Sequence, residues 1–148
     1  LVHIPLIIWG IGEKRINRLV SLIDLPPTIL DIVSIDKPSE WYGDSLLCEN
    51  ERPVICEDIR HGYMCYSVRT KDWVFAYNRD INQEYLFKRF PEDKINLTSQ
   101  RKDVVNHMKE LYKIHNKKIE NCWKEYLNKD LKTIVSKIKN LEGNYENN

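Results

Sequence analysis

The chain has 148 residues, 42% of them apolar and 30% charged, with a formal net charge of +1. That length and balance fit a globular domain with a real core. No apolar run is long enough to cross a bilayer, and no net field draws nucleic acid or an acidic substrate, so neither is expected as a partner.

The chain opens on Leu1-Val2-His3-Ile4-Pro5-Leu6-Ile7-Ile8-Trp9. Bulky branched residues in a continuous apolar run predict a strand over 4–9, of the kind buried on both faces inside a sheet. It lacks the basic lead-in and small-residue cleavage site of a signal peptide. A core strand so close to the first residue reads as a segment cut from a longer chain. Gly12 to Ile16 is a polar turn. The spacing of Leu25, Ile29, Leu30, Ile32 and Val33 then predicts a buried helix, with Pro26 and Pro27 in its first turn. Asp24 sits where a carboxylate favours a helix N-terminus.

Residues 35–47 predict a loop, with turn signals at Lys37-Pro38-Ser39 and Gly43-Asp44. Strands follow at Pro53–Glu57, Met64–Thr70 and Trp73–Tyr77, with a short one at Tyr85–Phe87. The polar Thr70-Lys71-Asp72 connection makes the middle pair an antiparallel hairpin. From about Ser99 the period changes. Val104, Val105, Met108, Leu111, Tyr112, His115, Ile119, Cys122, Trp123 and Tyr126 predict one amphipathic helix. Asn128-Lys129-Asp130 is expected to interrupt it. A weaker pattern runs from Leu131 to Leu141, and the tail from Gly143 is expected to fray.

Cys48, Cys56, Cys65 and Cys122 form no C-x-x-C pair, which leaves a zinc site unsupported. They read as free thiols, leaning toward a reducing, cytoplasmic setting. Residues 101–140 hold eleven Lys and Arg against five Asp and Glu. That charge reads as a solvated helix face, with a stand-alone binding module built on a basic helix as the alternative. Asn96-Leu97-Thr98 is a glycosylation sequon, meaningful only in a secreted protein.

Four segments, in order, resemble the C-terminal part of sulfatases in the alkaline phosphatase superfamily. Val2 to Gly10 is similar to that family's late core strand, commonly V-P-L-I-I before a Gly-rich turn. Val20-Ser21-Leu22-Ile23-Asp24-Leu25-Pro26-Pro27-Thr28-Ile29-Leu30-Asp31-Ile32 is similar to its V-S-x-x-D-x-x-P-T-L-L-D-L helix. Gly43-Asp44-Ser45-Leu46-Leu47 is similar to G-x-S-L-L, and Tyr66 to Trp73 to a hairpin reading R-x-V-R-T-x-x-x-K-Y. A fifth match, Pro91 to Leu97, is similar to a D-P-x-E-x-x-N-L turn. There Phe90 stands in place of an Asp, as Leu86 does in the family's L-Y-D-L segment.

The resemblance implies an α/β fold, α+β within this stretch. Residues 1–47 would close the main α/β domain. Residues 48–127 would form a small antiparallel sheet packed by a long helix, and 128–148 a helical extension and tail. It implies a parent that hydrolyses sulfuric esters, sugar sulfates among them, with a formylglycine or serine nucleophile and a divalent metal, calcium or magnesium. Phosphonate or phosphate monoester hydrolases and phosphotransferases of the same superfamily are the alternative.

The family's nucleophile motif, C-x-P-S-R or S-x-P-S-R, is absent. Cys56-Glu57-Asp58-Ile59-Arg60 and Cys65-Tyr66-Ser67-Val68-Arg69 copy only its Cys–Arg interval, on predicted strands. No D-x-D or D-H-G cluster offers the converging oxygen ligands a hard cation needs. No catalytic residue, metal ligand or cofactor is assigned to this chain. Its partner is expected to be the N-terminal catalytic portion of the same polypeptide. His3, beside the core strand, and His61, in the loop after the first sheet strand, are the candidates for the substrate rim.

Overall fold

The computed structural model describes residues 5–10, 12–13, 15–60, 63–89 and 95–145; for 58–60, 63–64 and 137–145 it describes the backbone alone. Four strands form one sheet: β1 (Val54–Arg60), β2 (Tyr63–Arg69), β3 (Trp73–Asn78) and β4 (Gln83–Lys88). Each pairs antiparallel with the next, in the order β1-β2-β3-β4. The small sheet and long helix match the expected α+β layout.

Local chemistry sets the turns. At the β2–β3 corner the Thr70 hydroxyl accepts the Trp73 N–H at 3.2 Å, and the Trp73 carbonyl accepts the Thr70 N–H at 2.9 Å. At the β3–β4 corner Asn82 takes φ 50°, a left-handed value that Asn tolerates better than most residues. The Asn78 side-chain oxygen holds that corner by accepting the Asp80 N–H at 3.0 Å. Past β4, the Asn96 side chain accepts the Leu86 N–H at 3.0 Å and donates to the Glu84 carbonyl at 3.0 Å. Those bonds satisfy backbone groups at an otherwise open sheet edge.

One face of the sheet is apolar and carries the core. Tyr66, Val68, Phe75 and Leu86 are buried there against Val104, Val105, Met108 and Tyr112 of a long helix, α2 (Lys102–Tyr145). Phe75 lies opposite both Val68 and Leu86 in the strand registers, so three fully buried side chains form one transverse row. Tyr66 and Tyr112 stack with ring centroids 3.6 Å apart. Burial pushes the Tyr66 phenol up to about 12.

Before the sheet, a 3-10 turn (Leu22–Asp24) leads into helix α1 (Leu25–Ile32). Its first turn contains both prolines, as expected. It ends with Ser34 at φ 58°, the Ser34 N–H on the Asp31 carbonyl (3.1 Å) and the Ile35 N–H on the Leu30 carbonyl (2.9 Å). That is a Schellman ending built on a serine instead of the usual glycine.

Two local expectations fail. Residues 5–10 form no strand, and Leu6, Ile7 and Trp9 are exposed. A strand needs neighbours for its N–H and C=O groups, and the four strands of this sheet pair only with one another. Helix α2 also runs unbroken through Asn128-Lys129-Asp130 to Tyr145, past Gly143. None of those three residues forbids helix, and Thr133 and Ser136 hydrogen-bond back onto carbonyls of the helix itself.

Candidate functional site

His3 and His61 lie outside the described residues. What the structure does bring together is a polar clamp between α1 and the loop at 43–47. Asp24, Thr28 and Asp31 fall at i, i+4 and i+7, which places them on one face of the helical segment. Thr28 is fully buried; its hydroxyl donates to the Asp24 carbonyl at 2.5 Å and accepts the Leu46 N–H at 2.8 Å. Ser45 donates to Asp31 at 2.5 Å. Gly43 sits against the backbone of Ile23, where a Cβ would lie only 2.6 Å from the Ile23 carbonyl carbon. Only glycine permits that approach.

Asp24 is the centre of the clamp and is 4% exposed. Oδ2 accepts the Ser21 N–H at 2.8 Å, and Oδ1 accepts the Asp44 N–H at 3.0 Å. Oδ1 also pairs with the Arg52 guanidinium, which reaches Asp44 at 3.6 Å as well. Arg18 completes the loop from outside, donating to the Leu46 carbonyl at 3.1 Å and the Asn50 carbonyl at 3.0 Å. A buried carboxylate with this set of donors is satisfied as an ion and has little capacity left for a metal or a substrate.

A second junction joins this unit to α2. The Tyr42 ring meets His115 edge-on at 4.9 Å, and Arg52 and Lys118 approach the same ring at 5.2 and 4.7 Å. Desolvation holds the His115 imidazole below its ordinary value, and its Nδ1 is buried without a hydrogen-bond partner. Lys129 donates to Glu40 at 2.7 Å. Beside these contacts lies an open cavity of about 350 Å³, lined by Trp41, Tyr42, Cys122, Trp123 and Tyr126 among others.

No described residues assemble reactive chemistry. Cys56 and Cys65 lie within strands β1 and β2. Among the described residues no group of three or more His, Cys, Asp or Glu could hold a metal ion. No described helix is long and apolar enough to cross a membrane.

No family model matches the chain. It is 27% identical to rat (Rattus norvegicus) arylsulfatase K over 93% of its own length and 31% of that protein's. It is 46% identical to a 2,3-bisphosphoglycerate-independent phosphoglycerate mutase of Acetivibrio thermocellus, but over only 30% of this chain and 8% of that one. In fold it is similar to the crystal structure of a putative sulfatase from Bacteroides thetaiotaomicron, with a TM-score of 0.59 and 19% identity. That match covers 69% of this chain and 25% of the other. The likeness to arylsulfatase K is the broader of the two, and the chain spans about a third of that relative's length.

The chain matches the C-terminal portion of the sulfatase family.

The sulfatase-like motifs now have a physical meaning. The V-S-x-x-D-x-x-P-T-L-L-D helix supplies Asp24, Thr28 and Asp31, and the G-x-S-L-L loop supplies the glycine, hydroxyl and N–H groups that dock on them. Sequence reasoning placed Asp24 at a helix start but missed Arg18 and Arg52. The carbonyls that Arg18 holds and the Asp24 that Arg52 meets are 28 to 32 positions away, with no periodicity to announce them. It also missed that Asn96, the sequon residue, holds the edge of β4 with its own amide.

Proposed function

We propose that this chain is the C-terminal part of a sulfatase-like hydrolase that acts on sulfuric esters, and that its role is to complete the fold and shape the rim of the cleft. The clamp carries this reading. Its acidic, hydroxyl and basic groups are consumed in fixing a loop to a helix, which is structural work. The exposed apolar side chains of Leu6, Ile7, Trp9, Leu22, Ile29, Val33 and Ile35 support it further. A surface of that size belongs under another layer of protein. The N-terminal catalytic portion of the same polypeptide is the partner that would cover it.

That portion would supply the nucleophile, as formylglycine or serine, and a divalent metal, calcium or magnesium. The described residues of this chain fit neither group, so no step of the reaction is assigned to them. A metal-activated nucleophile and cationic stabilisation of the developing charge are what the hydrolysis requires. The test is the purified chain with calcium or magnesium and 4-nitrophenyl sulfate. No release of 4-nitrophenol is expected from the chain alone. Metal-dependent release would overturn the assignment of the chemistry to another part of the protein.

A further inference from the structure

The cavity beside the Tyr42–His115 junction is framed from two sides. The loop contributes Glu40, Trp41 and Tyr42, and α2 contributes Trp123 and Tyr126. The Lys129 bond to Glu40 and the edge-on contact of Tyr42 with His115 tie the loop to the helix. The cavity is therefore formed before any ligand arrives, as binding pockets commonly are, and its volume of about 350 Å³ admits a small molecule. Its aromatic walls stay open: Trp41, Trp123 and Tyr126 are 38%, 60% and 47% exposed.

The walls and the ion pair among them narrow the ligand. Trp123 and Tyr126 stand at 90° to each other, with ring centroids 6.1 Å apart. A flat base stacks on parallel faces, and a perpendicular corner offers it only one. A permanent cation finds Glu40 already neutralised by Lys129, with Lys118 and Arg52 adding positive charge beside Tyr42. A hydrocarbon chain would take the Glu40–Lys129 pair out of water, at a cost that its own burial has to overcome.

A pyranose ring matches each of these features. It is puckered, so C–H bonds point from its face and from its edge, and both kinds suit the electron-rich faces of a perpendicular ring pair. Its hydroxyls donate as well as accept, and so can bond the carboxylate and the ammonium of one ion pair. Glu40 has acceptor capacity to spare, because Lys129 at 2.7 Å and Ser39 at 3.3 Å both donate to Oε2. The Lys129 side chain is 58% exposed, and an ammonium carries three donors.

We propose that the cavity between the loop at 40–42 and α2 binds a pyranose ring of a neutral saccharide. Such binding requires nothing of the hydrolysis proposed above, so the two readings stand or fall separately. The test is NMR of the 148-residue chain, following the indole N–H signals of its four tryptophans during titration with cellobiose, maltose and N,N′-diacetylchitobiose. With at least one of these, the Trp41 and Trp123 signals should shift and saturate, with a Kd on the order of millimolar. The signals of Trp9 and Trp73, which are outside the lining, should stay in place. Trp123→Ala and Glu40→Ala should each weaken that binding on the order of tenfold, and Trp9→Ala should leave it unchanged. The near-ultraviolet signal of the Tyr66–Tyr112 core checks that each variant is folded, and Trp123→Leu replaces Trp123→Ala if that one is not. The proposal is overturned if none of the three saccharides gives a saturable shift, or if all four indoles shift alike. It is equally overturned by binding that survives loss of the Trp123 ring, or by tetramethylammonium or adenosine binding more tightly than every saccharide.

Discussion

Replacing Thr28 by valine would isolate the polar contribution of the clamp. The two side chains have nearly the same shape, so what changes is the hydroxyl. In the native protein that hydroxyl, on the fully buried Thr28, accepts at 2.8 Å the N–H of Leu46, itself only 4% exposed. Valine leaves this donor buried without an acceptor, at about 2 kcal/mol. At about 1.4 kcal/mol per factor of ten, that is about a 30-fold faster native-state hydrogen exchange at the Leu46 amide. Thr28→Ser gives the comparison. It keeps the hydroxyl and removes one buried methyl group, for about 1 kcal/mol and about a fivefold effect. Exchange at Leu46, read residue by residue by NMR, should therefore rank the native protein slowest, the serine variant next and the valine variant fastest. If the valine variant protects Leu46 as well as the serine variant does, the hydroxyl is not what holds the loop.

Gly43→Ala should detach the same loop from the other side. Its new methyl group would overlap the Ile23 carbonyl, a backbone group with little room to yield, and a loss of about 2–3 kcal/mol is expected. Faster proteolysis within residues 34–47 would show it; unchanged cleavage would mean that the loop can shift at no cost. His115 predicts a pH dependence. Its pKa is lowered in the folded state, so the folded protein takes up the proton less readily than the unfolded chain. Its contribution is therefore intact above about 6.5, the ordinary value, and is lost as the pH falls through the depressed folded value. His115→Phe keeps an aromatic edge against Tyr42, and its thermal midpoint should fall less between pH 7 and pH 5 than that of the native protein. Parallel curves would refute the assignment.

The small sheet was legible because its chemistry is local. The runs holding Val68 and Phe75 read as strands, and the Thr70-Lys71-Asp72 corner joined them. The ends of β1 were less so. Asp58 and Arg60 are poor strand formers by themselves, yet both pair with β2, because the ladder carries on wherever a partner is present. The same dependence explains the opposite error at residues 4–9, where a strong strand sequence has no neighbour at its described positions. The unbroken α2 was misread because Asn128 and Asp130 are weak helix formers. Propensity penalties of a few tenths of a kcal/mol do not end a helix that contains no proline. Of the clamp, the sequence shows the spacing of Asp24, Thr28 and Asp31 but not what meets it. The loop, Arg18 and Arg52 arrive through chain reversals that leave no periodic trace.

The sulfatase likeness fits a clamp that serves structure. Geometry at the clamp tolerates few residue types. Gly43 has no room for a side chain. The position of Thr28 needs one atom that both donates and accepts. Asp24 answers Arg52 and two backbone N–H groups at once. Changing any one of them strands a buried polar group or forces a clash, each a matter of about 1–3 kcal/mol. Constraints of that size mark a shared architecture without any contribution to bond breaking. A carboxylate serving as a metal ligand or base must keep an oxygen free and within reach of the substrate, whereas both oxygens of Asp24 are engaged within the clamp. The likeness therefore speaks to how a sulfatase-type core is closed, and the chemistry has to be sought among residues that stay polar, concave and incompletely satisfied.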